Sequence, residues 1–100
     1  MIIYVDVDGT LCTTIGSDYE HAAVFSSNQE VIDKVNKSFD QGHTIVICTA
    51  RGATTGIDWT GLTKSQLARW GVKYHRLENK PFYDLLIDDK TEHPLDWILP

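Results

Sequence analysis

The sequence has little positive charge, few cysteines and no long apolar run. Its nine basic residues face fourteen acidic ones, a formal net charge of −5, which argues against nucleic acid or anionic lipid as a partner. The first apolar run stops at Asp6, too early for a signal peptide, and no run approaches the ~18 residues of a membrane span. Two cysteines, Cys12 and Cys48, are too few for a disulfide framework. We therefore expect a soluble, cytoplasmic protein without a membrane partner.

The sequence also lacks internal repeats and any Pro-rich or Gly-rich stretch typical of a linker. Its 100 residues, 42% of them hydrophobic, are enough for one core but not for two. The sequence thus predicts a single domain over residues 1–100.

Four short apolar runs predict strands, at 2–5, 44–48, 72–77 and 85–87, with the first and second buried on both faces. Two patterns of Ser or Thr followed three residues later by Glu or Gln predict helix starts. The first is Ser27 with Glu30, before a helix that stops at Gly42, and the second is Thr63 with Gln66, before one that stops at Gly71. The alternation predicts an α/β fold with a small, Rossmann-like parallel sheet flanked by helices.

Polar residues follow three of these strands. Asp6 and Asp8 follow the first strand, Thr49 the second, and Asp88 and Asp89 the last. Because parallel strands deliver their carboxyl ends to one edge of the sheet, we expect these side chains to converge there. An acidic, all-oxygen site suits Mg²⁺ together with the oxygens of a substrate phosphate.

The ordered motifs resemble those of the haloacid dehalogenase-like superfamily. They are the sequence DVDGTL at 6–11, Thr49 after a hydrophobic strand, Lys80, and Asp88 with Asp89 after another strand. Within that superfamily, the segments at 49–52 and 80–90 are similar to small phosphatase-like proteins associated with capsular polysaccharide biosynthesis, and the second segment is also similar to polynucleotide phosphatase domains. Helices fill both intervals where a cap could be inserted, so we expect no cap domain.

The resemblance implies a Mg²⁺-dependent phosphatase that acts through an aspartyl phosphate. Asp6 would be the nucleophile, and Asp8 would protonate the leaving alcohol and later activate water. Thr49 and nearby backbone amides would bind phosphate oxygens, and Lys80 would neutralise charge, with Lys90 as the alternative lysine.

The resemblance also implies which residues bind the metal and the substrate. Asp6, the backbone carbonyl of Asp8, Asp88 and Asp89 would hold the metal. Thr10, Ala50 and Arg51 would contact substrate, although a surface ion pair is an equal alternative for Arg51.

The expected substrate is a small sugar phosphate or related metabolite, and the open site leaves a large substrate or closure by a second copy of the chain as alternatives. Three other functions stay open. The first is a polynucleotide end phosphatase, against which the negative charge argues. The second is a noncatalytic module that binds Mg²⁺ or phosphate, and the third is a signalling receiver. Tyr19, Glu20 and His21 follow the first motif, and we interpret them as a solvated loop, with substrate contact as the alternative.

Overall fold

A parallel sheet of three strands organises the protein. The computed structural model describes residues 1–16, 18–21 and 27–94, and its strands are β1 (Ile2–Asp6), β2 (Thr44–Thr49) and β3 (Arg76–Asn79). Their spatial order is β1-β2-β3, and both pairs are parallel. This confirms the predicted α/β fold with a small parallel sheet, and no cap domain is seen in the ranges described.

The central strand is the most deeply buried element. Ile45, Val46 and Ile47 of β2 are fully buried, as the continuous apolar run predicts for a strand covered on both faces. Strand β1 was predicted to be buried in the same way, and this is wrong. It lies at the edge of the three-stranded sheet, and Ile2 and Tyr4, which share one face by the two-residue period of a strand, stay exposed.

Helix α1 spans Gln29–Asp40 and covers the sheet with one apolar face. Val31, Ile32 and Val35 of that face are buried in the core, as their helical spacing predicts. The predicted cap at Ser27 is wrong by one residue, since Asn28 occupies the N-cap. The Asn28 side chain donates to the carbonyl of Thr10 at 3.2 Å, so a contact between distant segments sets the start of the helix.

Helix α2 spans Thr60–Trp70 and ends, as predicted, at Gly71, whose left-handed backbone has φ +72°. Its start was predicted at Thr63, but it begins three residues earlier. The carboxylate of Asp58 accepts the N–H of Thr60 at 2.9 Å and supplies the acceptor that the first helical turn needs. Thr63 is instead a buried residue on the inner face of the helix.

The third strand begins later than predicted. Asn36 of α1 bonds to the backbone of Gly71 and Lys73 at 2.8 Å each, so this part of the chain pairs with a helix side chain and not with a strand. The backbone N–H of His75 then donates to the carbonyl of Ile45 at 2.9 Å, and regular pairing with β2 starts at Arg76.

The predicted fourth strand at 85–87 is not formed. Leu85, Leu86 and Ile87 are 75%, 50% and 88% exposed, and no strand is assigned to them. Chain connectivity gives the reason. Strand β3 ends at the carboxyl edge of the sheet, and a parallel neighbour must start from the opposite edge, which normally takes a crossover of about a dozen residues. Only residues 80–84 are available before Leu85.

Side chains from the sheet and from both helices form one core. Its fully buried members include Val7, Leu11, Ile32, Ile45 and Leu67. Among the helices that the structure describes, none combines the length and apolar character needed to cross a membrane.

Two substitutions compare the core with the segment after β3. Ile32→Ala should lower the free energy of unfolding by about 2–5 kcal/mol, because it empties a fully buried site. Ile87→Ala should change it by no more than about 0.5 kcal/mol, because that side chain is 88% exposed. Urea denaturation of both variants measures the difference. A cost for Ile87→Ala as large as that for Ile32→Ala would contradict the exposed position of this segment.

Candidate active site

Two carboxylates emerge from the carboxyl end of β1. Val7 is fully buried, and because alternate residues of an extended chain point to opposite sides, Asp6 and Asp8 both point away from the core. The chain then turns sharply, with the N–H groups of Thr10 and Leu11 donating to the carbonyl of Val7. Asp6 and Asp8 line one cavity of about 440 Å³.

The Asp6 carboxylate is held by one of its oxygens. Oδ1 accepts the backbone N–H of Val7 at 2.8 Å and lies 3.3 Å from the Nζ of Lys80. The Asp6 side chain is 38% exposed, and within the described ranges Oδ2 carries no hydrogen-bond donor. Asp6 therefore presents an oriented carboxylate with one oxygen available to a ligand.

The Asp8 carboxylate is gripped by an arginine. Arg51 Nε donates to Oδ2 at 2.9 Å and Nη2 donates to Oδ1 at 2.8 Å, while the Thr14 hydroxyl donates to Oδ1 at 2.5 Å. A two-pronged guanidinium–carboxylate pair fixes both the position and the plane of the carboxylate. Asp8 is consequently a pre-oriented group beside Asp6.

Arg51 is itself immobilised by the protein. Its side chain is fully buried, and its Nη1 donates to the Thr63 hydroxyl at 3.2 Å and to Oε1 of Gln66 at 2.6 Å. The guanidinium also lies 4.8 Å from the ring centroid of Tyr19. The ion pair of Arg51 is therefore buried and formed with Asp8, so the alternative expectation of a surface ion pair is wrong. Arg51 also lines the cavity, and its contact with substrate stays a prediction.

Lys80 reaches the site from the end of β3. Its backbone N–H donates to the carbonyl of Thr49 at 2.9 Å, continuing the β2–β3 pairing, and this places its ammonium beside Asp6. Burial lowers the pKa of Lys80, but the charge of Asp6 and hydrogen bonds to Tyr83 and Asp6 outweigh it, and the net pKa is raised. Lys80 therefore stays a cation, and it, unlike Lys90, lines the cavity.

The other predicted substrate residues occupy different positions. Ala50 lines the cavity. Thr49 is buried, and its hydroxyl accepts the backbone N–H of Arg51 at 3.0 Å. Thr10 offers its carbonyl to Asn28. Neither Thr49 nor Thr10 is among the residues that line the cavity, so Thr49 shapes the turn that presents Ala50 and Arg51.

The acidic pair at 88–89 is not brought to Asp6 and Asp8. Both residues are exposed and lie outside the cavity lining. Hydrogen bonds from the backbone of Lys90 and from Asp89 lower the pKa of Asp88. Oxygen donors alone are what a hard divalent cation prefers, but within residues 1–16, 18–21 and 27–94 no three His, Cys, Asp or Glu side chains lie close enough to share one. The oxygen donors of the predicted ligands are of the kind that Mg²⁺ prefers. Of the four predicted ligands, however, only Asp6 and Asp8 line the cavity.

Neither cysteine is a competing nucleophile. Burial raises the pKa of Cys48, and the nearby charge of Lys80 does not reverse that shift. Burial likewise raises the pKa of Cys12, which lies beside Asp8. Because the thiolate is the reactive form, a raised pKa makes each of these thiols a weaker nucleophile than an ordinary cysteine.

The loop after β2 forms one wall of the cavity. Gly52 has φ +81°, and a Cβ there would overlap the carbonyl oxygen of Ile57. Only glycine allows the loop to fold back so closely. This turn carries Ile57 and Trp59 to the cavity, to which Tyr19, Phe82 and Tyr83 also contribute.

Sequence reasoning missed Trp59, Phe82 and Tyr83, and it interpreted Tyr19 as part of a solvated loop. The signal that could have found Phe82 and Tyr83 is their place directly after Lys80, since residues that follow a strand next to a site residue share its edge of the sheet. Nothing local marks Trp59, whose position depends on how the loop folds at Gly52.

The chain is similar to a known protein family and to solved structures. The family model described as haloacid dehalogenase-like hydrolase matches residues 3–62. The crystal structure of a target protein from Vibrio cholerae is similar with a TM-score of 0.82 and 28% identity, over 94% of this chain and 84% of that one. A chain of the Pnkp1/Rnl/Hen1 complex shares the fold, with a TM-score of 0.65 and 20% identity, over 88% of this chain but 30% of its own length. No curated protein matches the chain.

A double-mutant cycle on Asp8 and Arg51 measures their ion pair. Asp8→Asn, Arg51→Met and the double variant should give a coupling energy of about 1.5–3 kcal/mol in the free energy of unfolding, as for hydrogen bonds between charged groups. The same cycle on the exposed pair Asp40 and Lys73, 2.8 Å apart, should give less than about 1 kcal/mol. Equal coupling in the two cycles would contradict the special role of the buried pair.

Proposed function

Because the chain belongs to the haloacid dehalogenase-like hydrolases, we propose that it hydrolyses phosphomonoesters through an aspartyl phosphate on Asp6. The observation that carries this proposal is the position of Asp6, Asp8 and Lys80 on one cavity. A nucleophilic carboxylate, a second carboxyl group for proton transfer and a cation for the phosphate are the groups that this reaction requires.

In the first step, Oδ2 of Asp6 attacks phosphorus. The new bond joins this oxygen to phosphorus, and the bond between phosphorus and the ester oxygen breaks. The electron pair stays on the leaving oxygen, which takes a proton from the Asp8 carboxyl group. This step requires the protonated form of Asp8, so one of the donors that engage its oxygens in the resting protein must release it. The contacts of Oδ1 with Val7 and Lys80 favour Oδ2 as the attacking atom.

In the second step, water attacks the phosphorus of the aspartyl phosphate. Asp8, now a carboxylate, accepts the proton of this water, and the Asp6–phosphorus bond breaks to give inorganic phosphate and free Asp6. Arg51 and Thr14 hold the Asp8 carboxylate in a fixed plane, which avoids reorientation between the two steps.

Lys80 has two roles at this site. It pairs with Asp6 before substrate binds, and its lasting positive charge attracts the phosphate dianion into a cavity that also contains two carboxylates. When the phosphoryl group arrives, the ammonium neutralises part of the charge that spreads over its oxygens.

We further propose Mg²⁺ as the cofactor, because haloacid dehalogenase-like hydrolases are generally Mg²⁺-dependent. The Asp6 carboxylate and the backbone carbonyl of Asp8 would hold the ion. Asp88 and Asp89 lie outside the cavity and would complete the ligand set only if metal binding draws their segment to Asp6. When bound, Mg²⁺ would neutralise charge on the carboxylates and on the phosphate. The cavity has room for a small metabolite, and a sugar phosphate is the substrate class that we propose.

Substitution of Asp6 tests the covalent mechanism. Asp6→Asn should reduce the hydrolysis of an aryl phosphate in Mg²⁺ by about 10³-fold or more, because it removes the nucleophile. Mass spectrometry of acid-quenched wild-type protein should find a phosphoryl group on the peptide that contains Asp6. Asp40→Asn, an exposed change outside the cavity, is the control. Failure of the wild-type protein to hydrolyse any member of a broad phosphomonoester panel in Mg²⁺ would overturn the proposal and favour a noncatalytic binding module.

The acidic pair at 88–89 has its own test. Chelation should abolish turnover and Mg²⁺ should restore it, while Asp88→Asn and Asp89→Asn should raise the Mg²⁺ concentration needed for half-maximal rate by about tenfold or more, as loss of a carboxylate ligand would. Asp84→Asn, on the same exposed segment, should leave that concentration unchanged. A Mg²⁺ response identical in all three variants would remove Asp88 and Asp89 from the metal site.

A further inference from the structure

The cavity that contains Asp6 and Asp8 is lined by several aromatic side chains. Four of the ten aromatic residues of the chain, Tyr19, Trp59, Phe82 and Tyr83, line it. The transfer of a phosphoryl group requires none of them. Their presence in one cavity therefore indicates a ligand that has an apolar part besides its phosphate.

Each catalytic carboxylate is linked to an aromatic ring through one cation. Lys80 Nζ lies 3.3 Å from both Asp6 and the Tyr83 hydroxyl, and the Arg51 guanidinium joins Asp8 to the ring of Tyr19. Cations on aromatic faces hold those faces in place. Tyr19 and Tyr83 thus each contact a cation that also contacts a reacting carboxylate. A group bonded to the substrate phosphate would therefore contact these two rings.

Trp59 extends the aromatic lining beyond Tyr19. The two rings pack edge to face, with centroids 5.3 Å apart and an interplanar angle of 78°. Phe82 is 62% exposed and Tyr83 is 41% exposed, so their rings contribute apolar surface that the protein core does not use. A volume of about 440 Å³ exceeds what a phosphate alone would fill and is within the range of sites for small organic molecules.

We propose that this aromatic lining selects phosphomonoesters whose leaving alcohol carries a ring with a flat apolar face, and that Trp59 and Phe82 are its specificity-determining residues. This inference rests on the proposed phosphatase function. The leaving oxygen must lie beside Asp8, its proton donor, and Asp8 is linked through the Arg51 guanidinium to Tyr19, which packs against Trp59. The ring of the alcohol packs against that pair, and Phe82 contacts it from the segment that follows Lys80. A sugar and a nucleoside both offer such a ring.

A matched pair of substrates isolates the ring. Glucose 6-phosphate and sorbitol 6-phosphate have the same number of carbons and the same type of leaving alcohol, but only the first is cyclic. Wild-type protein in Mg²⁺ should favour the cyclic ester in kcat/KM by about fivefold to tenfold, the scale of one or two ring contacts. Trp59→Leu and Phe82→Ala should each bring this ratio towards one.

Tyr4→Ala is the control, because Tyr4 is an exposed aromatic residue, 56% accessible, that does not line the cavity; it should keep the wild-type ratio. Phe82→Ala removes an exposed ring, so the test does not depend on the folding of the Trp59 variant. Binding of the two esters to Asp6→Asn by calorimetry should show the same preference without turnover.

The outcomes separate the two proposals. Hydrolysis of both esters with equal efficiency by the wild-type protein, or a ratio that neither variant changes, would overturn the ring selection and leave the phosphatase intact. Absence of hydrolysis across the whole phosphomonoester panel would overturn the phosphatase itself. An oligonucleotide 3′-phosphate forms a further arm: faster hydrolysis of this probe than of glucose 6-phosphate would assign the ring to a nucleoside, and slower hydrolysis would assign it to a sugar.

Discussion

The buried ion pair between Arg51 and Asp8 is the constraint on which the site depends. One guanidinium joins the turn after β1 to the turn after β2 and to the inner face of α2 through Thr63 and Gln66. Gln66 in turn donates to the carbonyl of Tyr19 at 2.5 Å. A charged side chain with no solvent exposure persists only when its donors are satisfied, and here the partners come from the turn after β1 and from α2. Formation of the core and formation of the site are therefore coupled.

The same arrangement separates the tasks of the two carboxylates. Asp8 has both oxygens engaged by fixed donors, which fixes the position and the plane of its carboxylate. Asp6 keeps one oxygen clear of donors in the part of the chain that the structure describes, and its other oxygen lies beside Lys80. Two identical side chains, two residues apart, thus gain different chemistry from their neighbours.

The segment after β3 contributes residues to the cavity but does not pack against the core. Residues 80–83 line the cavity, whereas Leu85 to Ile87 expose large apolar surface and Asp88 and Asp89 lie outside the site. The pattern of residues 85–87 is that of a strand, but a strand needs a partner edge with the right direction, and the short connection from β3 does not lead to one. Local propensity is overridden there by chain connectivity.

The sequence by itself determined the features whose physical cause is local. The apolar run at 44–48 specified the buried central strand, the helical spacing of Val31, Ile32 and Val35 specified the buried face of α1, and the order of motifs indicated the family. The tertiary structure alone decided that Arg51 grips Asp8, that Lys80 and not Lys90 faces Asp6, and that four aromatic rings share the cavity. Those outcomes depend on strand register, such as Thr49 opposite Asn79, and on the close fold of the loop at Gly52. Register and loop closure are set by contacts between distant residues, which no local pattern encodes.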